Sequence, residues 1–351
     1  MFTRRIGLAN VPVKGCNVLI DRFVTMMMIL GVCSRRTIPQ MEIDAVSEFL
    51  LHLLTGNVDK LPTQTLLHKF WFSFAREQQQ AVNYFKCMQT HHLTNVECYS
   101  HVAVYCGSRF GEKSPERHQQ CNQLLTNEKN ATMVGLDLKT VQRFSNYRSC
   151  FQSYRRRVDA NCTPVLRKTI AVSRLRATKV VRATMDSMRP LLRALPSLRI
   201  IHLVRDPRAV ARSRINNDHF DQSLRSAYSL PTRNSSVNSL LVDEASMYCR
   251  HATADIRTRL TLEREYPGRI LSMRYEDVVT DPERRFRDVY KLLDEPVVTT
   301  ALTQMQESAR EGRTRKVLTK WQFNMTYAEG IAIARRCAEF YRLLNISPID
   351  V

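Results

Sequence analysis

Residues 198–215 read LRIIHLVRDPRAVARSRI. Ile200, Ile201, Leu203 and Val204 form a short, nearly continuous apolar run, the pattern of a strand buried on both faces of a parallel sheet. Asp206 then suits a helix N-cap, and Pro207 sits at the first helical position, where a missing N–H costs nothing. The stretch therefore predicts strand, tight turn and helix in immediate succession. In an open parallel sheet, ligands gather beyond the carboxyl ends of the strands, and the free N–H groups of a starting helix favour anions there. Arg205 can offer a planar guanidinium fork to such an anion, and Ser213, two turns further on, a hydroxyl.

The flanks repeat the pattern. Ala177 to Val181 reads as a second apolar strand, and Met185, Met188, Leu191, Leu192 and Leu195 recur at helical spacing before Pro196. Strand, helix and strand in about thirty residues make a right-handed βαβ unit. Downstream, Ile270, Leu271 and Met273 mark another strand. Asp281 and Pro282 then open a helix whose face carries Phe286, Val289, Tyr290 and Leu293. The expected class is α/β, a central parallel sheet flanked by helices. Residues 41–175 read as mostly helical, with Phe70, Phe72, Phe74, Tyr84, Phe85 and Tyr99 as aromatic core. One domain is expected over 41–351, preceded by an atypical segment at 1–40.

Three blocks carry a family resemblance: Lys179 through Met185-Asp186-Ser187-Met188-Arg189-Pro190 to Ser213-Arg214; Arg269 to Leu293, with Arg274-Tyr275-Glu276-Asp277; and Lys320-Trp321-Gln322-Phe323-Asn324-Met325 with the helix that follows. Together they resemble the Golgi carbohydrate sulfotransferases, which transfer sulfate to the 6-hydroxyl of galactose, N-acetylgalactosamine or N-acetylglucosamine. The resemblance implies a P-loop-NTPase-like fold and the donor 3′-phosphoadenylyl sulfate (PAPS), its 3′-phosphate held by Arg205 and Ser213. It also implies a glycan or proteoglycan acceptor, no metal, and a Golgi-lumenal location behind a single-span type II anchor. On the same resemblance Asp206 and Arg208 are assigned to the donor site, Arg208 and Arg212 being weaker candidates because on a helix either can face solvent or the glycan, and Arg310 and Arg313 are weak further candidates. The sequence departs from the family in one respect. The glycine- and serine-rich loop that would cradle the 5′-phosphosulfate is not found; Gly31, Cys33, Ser34, Arg35 and Arg36 are the nearest stand-in. The chain therefore looks truncated at its front, and the catalytic residues stay unassigned. An inactive relative that binds the nucleotide or an anionic glycan is the alternative.

Composition narrows the class. The 351 residues are 44% hydrophobic, enough for a sizeable core, and the formal charge is +20. Basic residues such as Arg155, Arg156, Arg157, Arg167 and Lys168 crowd the approach to the strand-turn-helix, a field that would attract polyanions. Nucleic acid is the rival partner, but no helix-turn-helix, zinc-finger, RRM or KH pattern occurs, so none is expected. Ten cysteines without a Cys-x-x-Cys pair argue against zinc and suit disulfides in an oxidising lumen. Sequons at Asn130, Asn161, Asn234, Asn324 and Asn345 point the same way, although prolines directly follow the second and fifth. Phe23 to Cys33 is apolar but too short to span a bilayer, so no anchor is evident and a buried strand or short helix is expected there. His91-His92 and the run Met26-Met27-Met28 read as surface or packing residues rather than metal ligands.

Overall fold

The computed structural model describes residues 8–13, 16–21, 28–32, 40–61, 63–66, 79–93, 98–106, 136–172, 176, 183–215, 237–310, 321 and 325–347. They fall into two compact units, Met1–Ala183 and Thr184–Val351.

The first unit opens with β1 (Leu8–Val13), β2 (Cys16–Asp21) and β3 (Met28–Val32), an antiparallel sheet in that order. A strand thus lies within the apolar stretch expected to hold one. The rest is helical: α1 (Gln40–Thr55), α2 (Thr63–Leu66), α3 (Gln79–Thr90), α4 (Ala103–Cys106), α5 (Leu138–Asn161) and α6 (Thr163–Val172). Gly56 ends α1 at φ +79°, and a Cβ built there would lie 2.8 Å from Ile170 Cγ2, so only glycine lets α6 approach this closely. Disulfides Cys87–Cys162 and Cys98–Cys150 tie α3 to the end of α5 and the turn at Cys98–His101 to its middle. Tyr84 and Phe144 are buried, whereas Phe70, Phe72 and Phe74 lie outside the described residues. Several arginines read from sequence as an open basic field are internal staples. Arg155 donates to the carbonyls of Asp59 and Leu61 and pairs with Asp159 at 2.7 Å; Arg157 donates to the His91 carbonyl.

The second unit carries α7 (Met188–Ala194), β4 (Ile200–Val204), α8 (Pro207–Ile215), α9 (Val237–Glu265), β5 (Ile270–Arg274), α10 (Tyr275–Thr280), α11 (Pro282–Leu293), α12 (Thr299–Arg310), α13 (Tyr327–Arg336) and α14 (Ala338–Leu344). β4 and β5 pair in parallel, from Ile200 opposite Ile270 to Val204 opposite Arg274. The unit is thus helix-rich around a small parallel sheet, as the α/β expectation requires. Asp281 caps α11 as expected, accepting from the Arg284 N–H at 3.2 Å. The anticipated strand near Ala177–Val181 lies outside the described residues. Arg269 fixes the entrance to β4 by donating to the carbonyls of Leu192 (2.9 Å), Leu195 and Leu198 (3.1 Å).

Burial of β4 on both faces is not what the fold shows. Val204 packs with Leu241, Ala245 and Cys249 of α9 and with Ile333 and Phe340, but Ile201 is 44% and Leu203 53% exposed. Alternation sends these two to the face opposite α9, and no described element covers that face of β4. The apolar run therefore reported strand formation correctly and two-sided cover incorrectly. Cys249–Cys337 locks α9 to the junction of α13 and α14. Thr326 and Glu329 form a capping box that starts α13.

Candidate functional site: the carboxyl edge of the parallel sheet

The turn between β4 and α8 is held by three hydrogen-bonding groups. Tyr248 of α9 uses one hydroxyl twice, accepting from the Arg205 N–H at 3.3 Å and donating to the Arg205 carbonyl at 3.2 Å. Glu276 Oε1 accepts from the Asp206 N–H at 3.0 Å. Asp206 Oδ1 accepts from the Arg208 N–H at 2.8 Å, the predicted N-cap. Pro207 has no N–H to offer. The amides expected to meet an anion are thus largely taken by protein carboxylates, which corrects the picture of an open helix N-terminus.

Arg208 and Asp206 belong to the scaffold of the turn. Each is 6% exposed, and the guanidinium grips the carboxylate through Nε at 3.0 Å and Nη2 at 2.8 Å. The guanidinium also stacks 4.4 Å over the ring of Trp321 and lies 5.8 Å from that of Tyr341. Burial alone would lower the Arg208 pKa, but the Asp206 hydrogen bond and charge outweigh it and raise the value. The cation is therefore kept charged by a partner inside the protein.

Arg205 differs. Its guanidinium stacks 4.4 Å over the ring of Tyr275, and its buried Nε has no hydrogen-bond partner. Beside it, Arg274 at the end of β5 also has a buried, unpartnered Nε and reaches Glu276 and Asp277 only at 3.9 Å. Arg205, Arg274, Glu276, Phe340 and Tyr341 line one small, shallow hollow open to solvent. Ser213 is exposed on α8, two turns beyond Arg205, and Arg212 is half-buried with an unpartnered Nε. Arg310 closes α12, while Arg313 lies outside the described residues. Among the described residues no group of three or more His, Cys, Asp or Glu side chains could hold a metal.

Sequence reasoning missed Tyr248, which has no local signature in the middle of a long helix. It quoted Arg274, Tyr275 and Glu276 without giving them a role. The signal was present, since Arg274 ends its strand as Arg205 follows the neighbouring one.

A parallel strand pair whose carboxyl edge carries two arginines with unpartnered Nε donors, beside a capped helix, places the unit in the α/β class. The chain belongs to the sulfotransferase family, whose model matches residues 71–299 and so takes in both strands and the turn between β4 and α8. No curated protein and no solved structure matches it. The family's reaction is sulfate transfer, and its usual donor is PAPS. The disulfides suit a secreted or lumenal protein. Among the described residues no helix is long and apolar enough to cross a membrane.

Proposed function

We propose that the protein is a PAPS-dependent carbohydrate sulfotransferase that sulfates the 6-hydroxyl of a galactose or N-acetylhexosamine in a glycan or proteoglycan of the Golgi lumen. The observation that carries the reading is Arg205, a half-buried guanidinium with an open donor at the carboxyl edge of the sheet, inside the stretch that matches the family. Arg205 binds the donor's 3′-phosphate and Ser213 adds a hydroxyl from α8. Tyr248, Tyr275 and Glu276 hold Arg205 and its backbone in place, and the Asp206–Arg208 pair keeps the turn rigid. Preorganisation of this kind lowers the ordering cost of binding.

In the reaction, the bond from sulfur to the bridging oxygen of the phosphosulfate breaks and a bond from sulfur to the sugar oxygen forms. The sugar hydroxyl gives up its proton, and adenosine 3′,5′-bisphosphate leaves. Catalysis of such a transfer rests on positioning and on stabilising the charge that builds on the leaving oxygen. A P-loop-NTPase-like fold belongs to this proposal, as does a single domain over 41–351. The test is transfer of labelled sulfate from PAPS to oligosaccharides ending in galactose, N-acetylgalactosamine or N-acetylglucosamine. Label on a 6-hydroxyl is expected. Donor binding without transfer to any acceptor would favour a non-catalytic, nucleotide-binding relative.

A further inference from the structure

The two strands of the parallel sheet end together. Val204 pairs with Arg274, so Arg205 lies one residue beyond Arg274 on the adjacent strand, and neighbouring strands lie about 4.8 Å apart. Both residues border the same hollow, and in both the buried Nε lacks a hydrogen-bond partner. A guanidinium donor that has lost water without gaining an acceptor is costly, so two of them in residues that border one hollow mark a place where an acceptor belongs.

The neighbouring carboxylates do not fill that role. Asp206 is committed to Arg208, with Nη2 to Oδ2 at 2.8 Å. Glu276 accepts from the Asp206 N–H through Oε1, and its other oxygen stays 3.9 Å from Arg274 Nε. Asp277 is drawn to Arg285 at 3.0 Å rather than to Arg274 at 3.9 Å. With Asp206 matched by Arg208, Asp277 by Arg285 and Glu276 by Arg274, Arg205 remains as uncompensated positive charge.

We propose that Arg274 is a second anion-binding residue, and that Arg205 and Arg274 grip one phosphate between them. This rests on the donor reading given above and extends it, because that reading uses Arg205 and Ser213 alone. A phosphate dianion has acceptor oxygens enough for a fork on either side, which a singly charged, smaller acceptor would not satisfy.

The test is calorimetric titration of the full chain and of Arg205→Gln, Arg274→Gln and Arg274→Lys with adenosine 3′,5′-bisphosphate, and separately with inorganic pyrophosphate. Each Gln variant should weaken bisphosphate binding about 10- to 100-fold. Arg274→Lys keeps the charge beside Glu276 and Asp277 but loses the fork, and should fall between wild type and Arg274→Gln; it also serves as the reading if the Gln variant does not fold. Wild-type affinity in both Arg274 variants, with Arg205→Gln impaired, overturns the role of Arg274 and leaves the donor reading standing. Binding of pyrophosphate but not of the nucleotide, lost in both Gln variants, supports the paired grip and removes the donor reading. Failure of the wild type to bind either probe overturns both.

Discussion

Removing the Asp206 carboxylate should expose how much of the site is scaffold. The Asp206→Ala chain keeps Arg208 buried against Trp321 but takes away the carboxylate its guanidinium grips, and it deprives the Arg208 N–H of its cap. Breaking a buried ion pair from one side costs about 3–5 kcal/mol, a range that leaves room for the roughly 1 kcal/mol of a lost N-cap. For a unit of this size each kcal/mol moves the midpoint by roughly 2–4 °C, so a fall of about 6–20 °C is expected. Replacing both partners, as in Asp206→Asn with Arg208→Met, keeps a cap acceptor and fills the space against Trp321. That double variant should return to within about 1–2 kcal/mol of wild type, since apolar replacement of a buried pair is often neutral. Urea and thermal unfolding followed by circular dichroism give both numbers. The reasoning fails if Asp206→Ala costs less than about 1 kcal/mol. It fails equally if Arg208→Met leaves stability unchanged while removing nucleotide affinity, because Arg208 would then face the ligand.

Further outcomes follow from the same geometry. Ser213→Ala should weaken bisphosphate binding by about 1.5–3 kcal/mol, the scale of a hydrogen bond to a charged group, without changing the melting midpoint. Loss of the Cys249–Cys337 bridge, whose cysteines lie 88 residues apart, in a Cys249→Ala, Cys337→Ala chain should cost roughly 4–5 kcal/mol in urea unfolding. The pH dependence has two opposing parts. Burial and the neighbouring charge of Asp186 raise the Asp255 pKa to about 7, against the bond from the Met185 N–H, so its contribution is greatest at low pH and is lost as pH rises toward 7. Burial and the charge of Arg259 lower the His202 pKa to about 4, so its contribution is present above pH 6.5 and is lost as pH falls toward 4. The two nearly cancel between those limits. Asp255→Asn should therefore make the midpoint fall more steeply from pH 6.5 to 4 than in wild type, measured as the difference between the two melting profiles; parallel profiles would show that Asp255 is ionised throughout.

The turn at the heart of the site was legible because its signals are local. Four apolar residues, Asp206 as cap and Pro207 at the first helical position predict β4 and α8, and Asp281-Pro282 predicts α11 by the same logic. What sequence could not show is which groups meet across the fold. The hydroxyl of Tyr248 and the carboxylate of Glu276 reach the turn from 43 and 70 residues away, and both consume amides that local reasoning left open. Arg205 and Arg208 look alike in sequence. Tertiary contacts alone commit one to Asp206 and Trp321 and leave the other with an open donor. The exposure of Ile201 and Leu203, over which no described element lies, was illegible for the same reason, since an apolar run reports what a strand can bury rather than what covers it.

Binding of adenosine 3′,5′-bisphosphate to the full chain and to Arg205→Ala, with Arg250→Ala on the exposed side of α9 as control, tests the sulfotransferase reading at its base. Saturable binding in wild type and Arg250→Ala, lost in Arg205→Ala, is the expected result. Equal affinity in all three, or no binding in a wild-type chain that melts cooperatively, would contradict it.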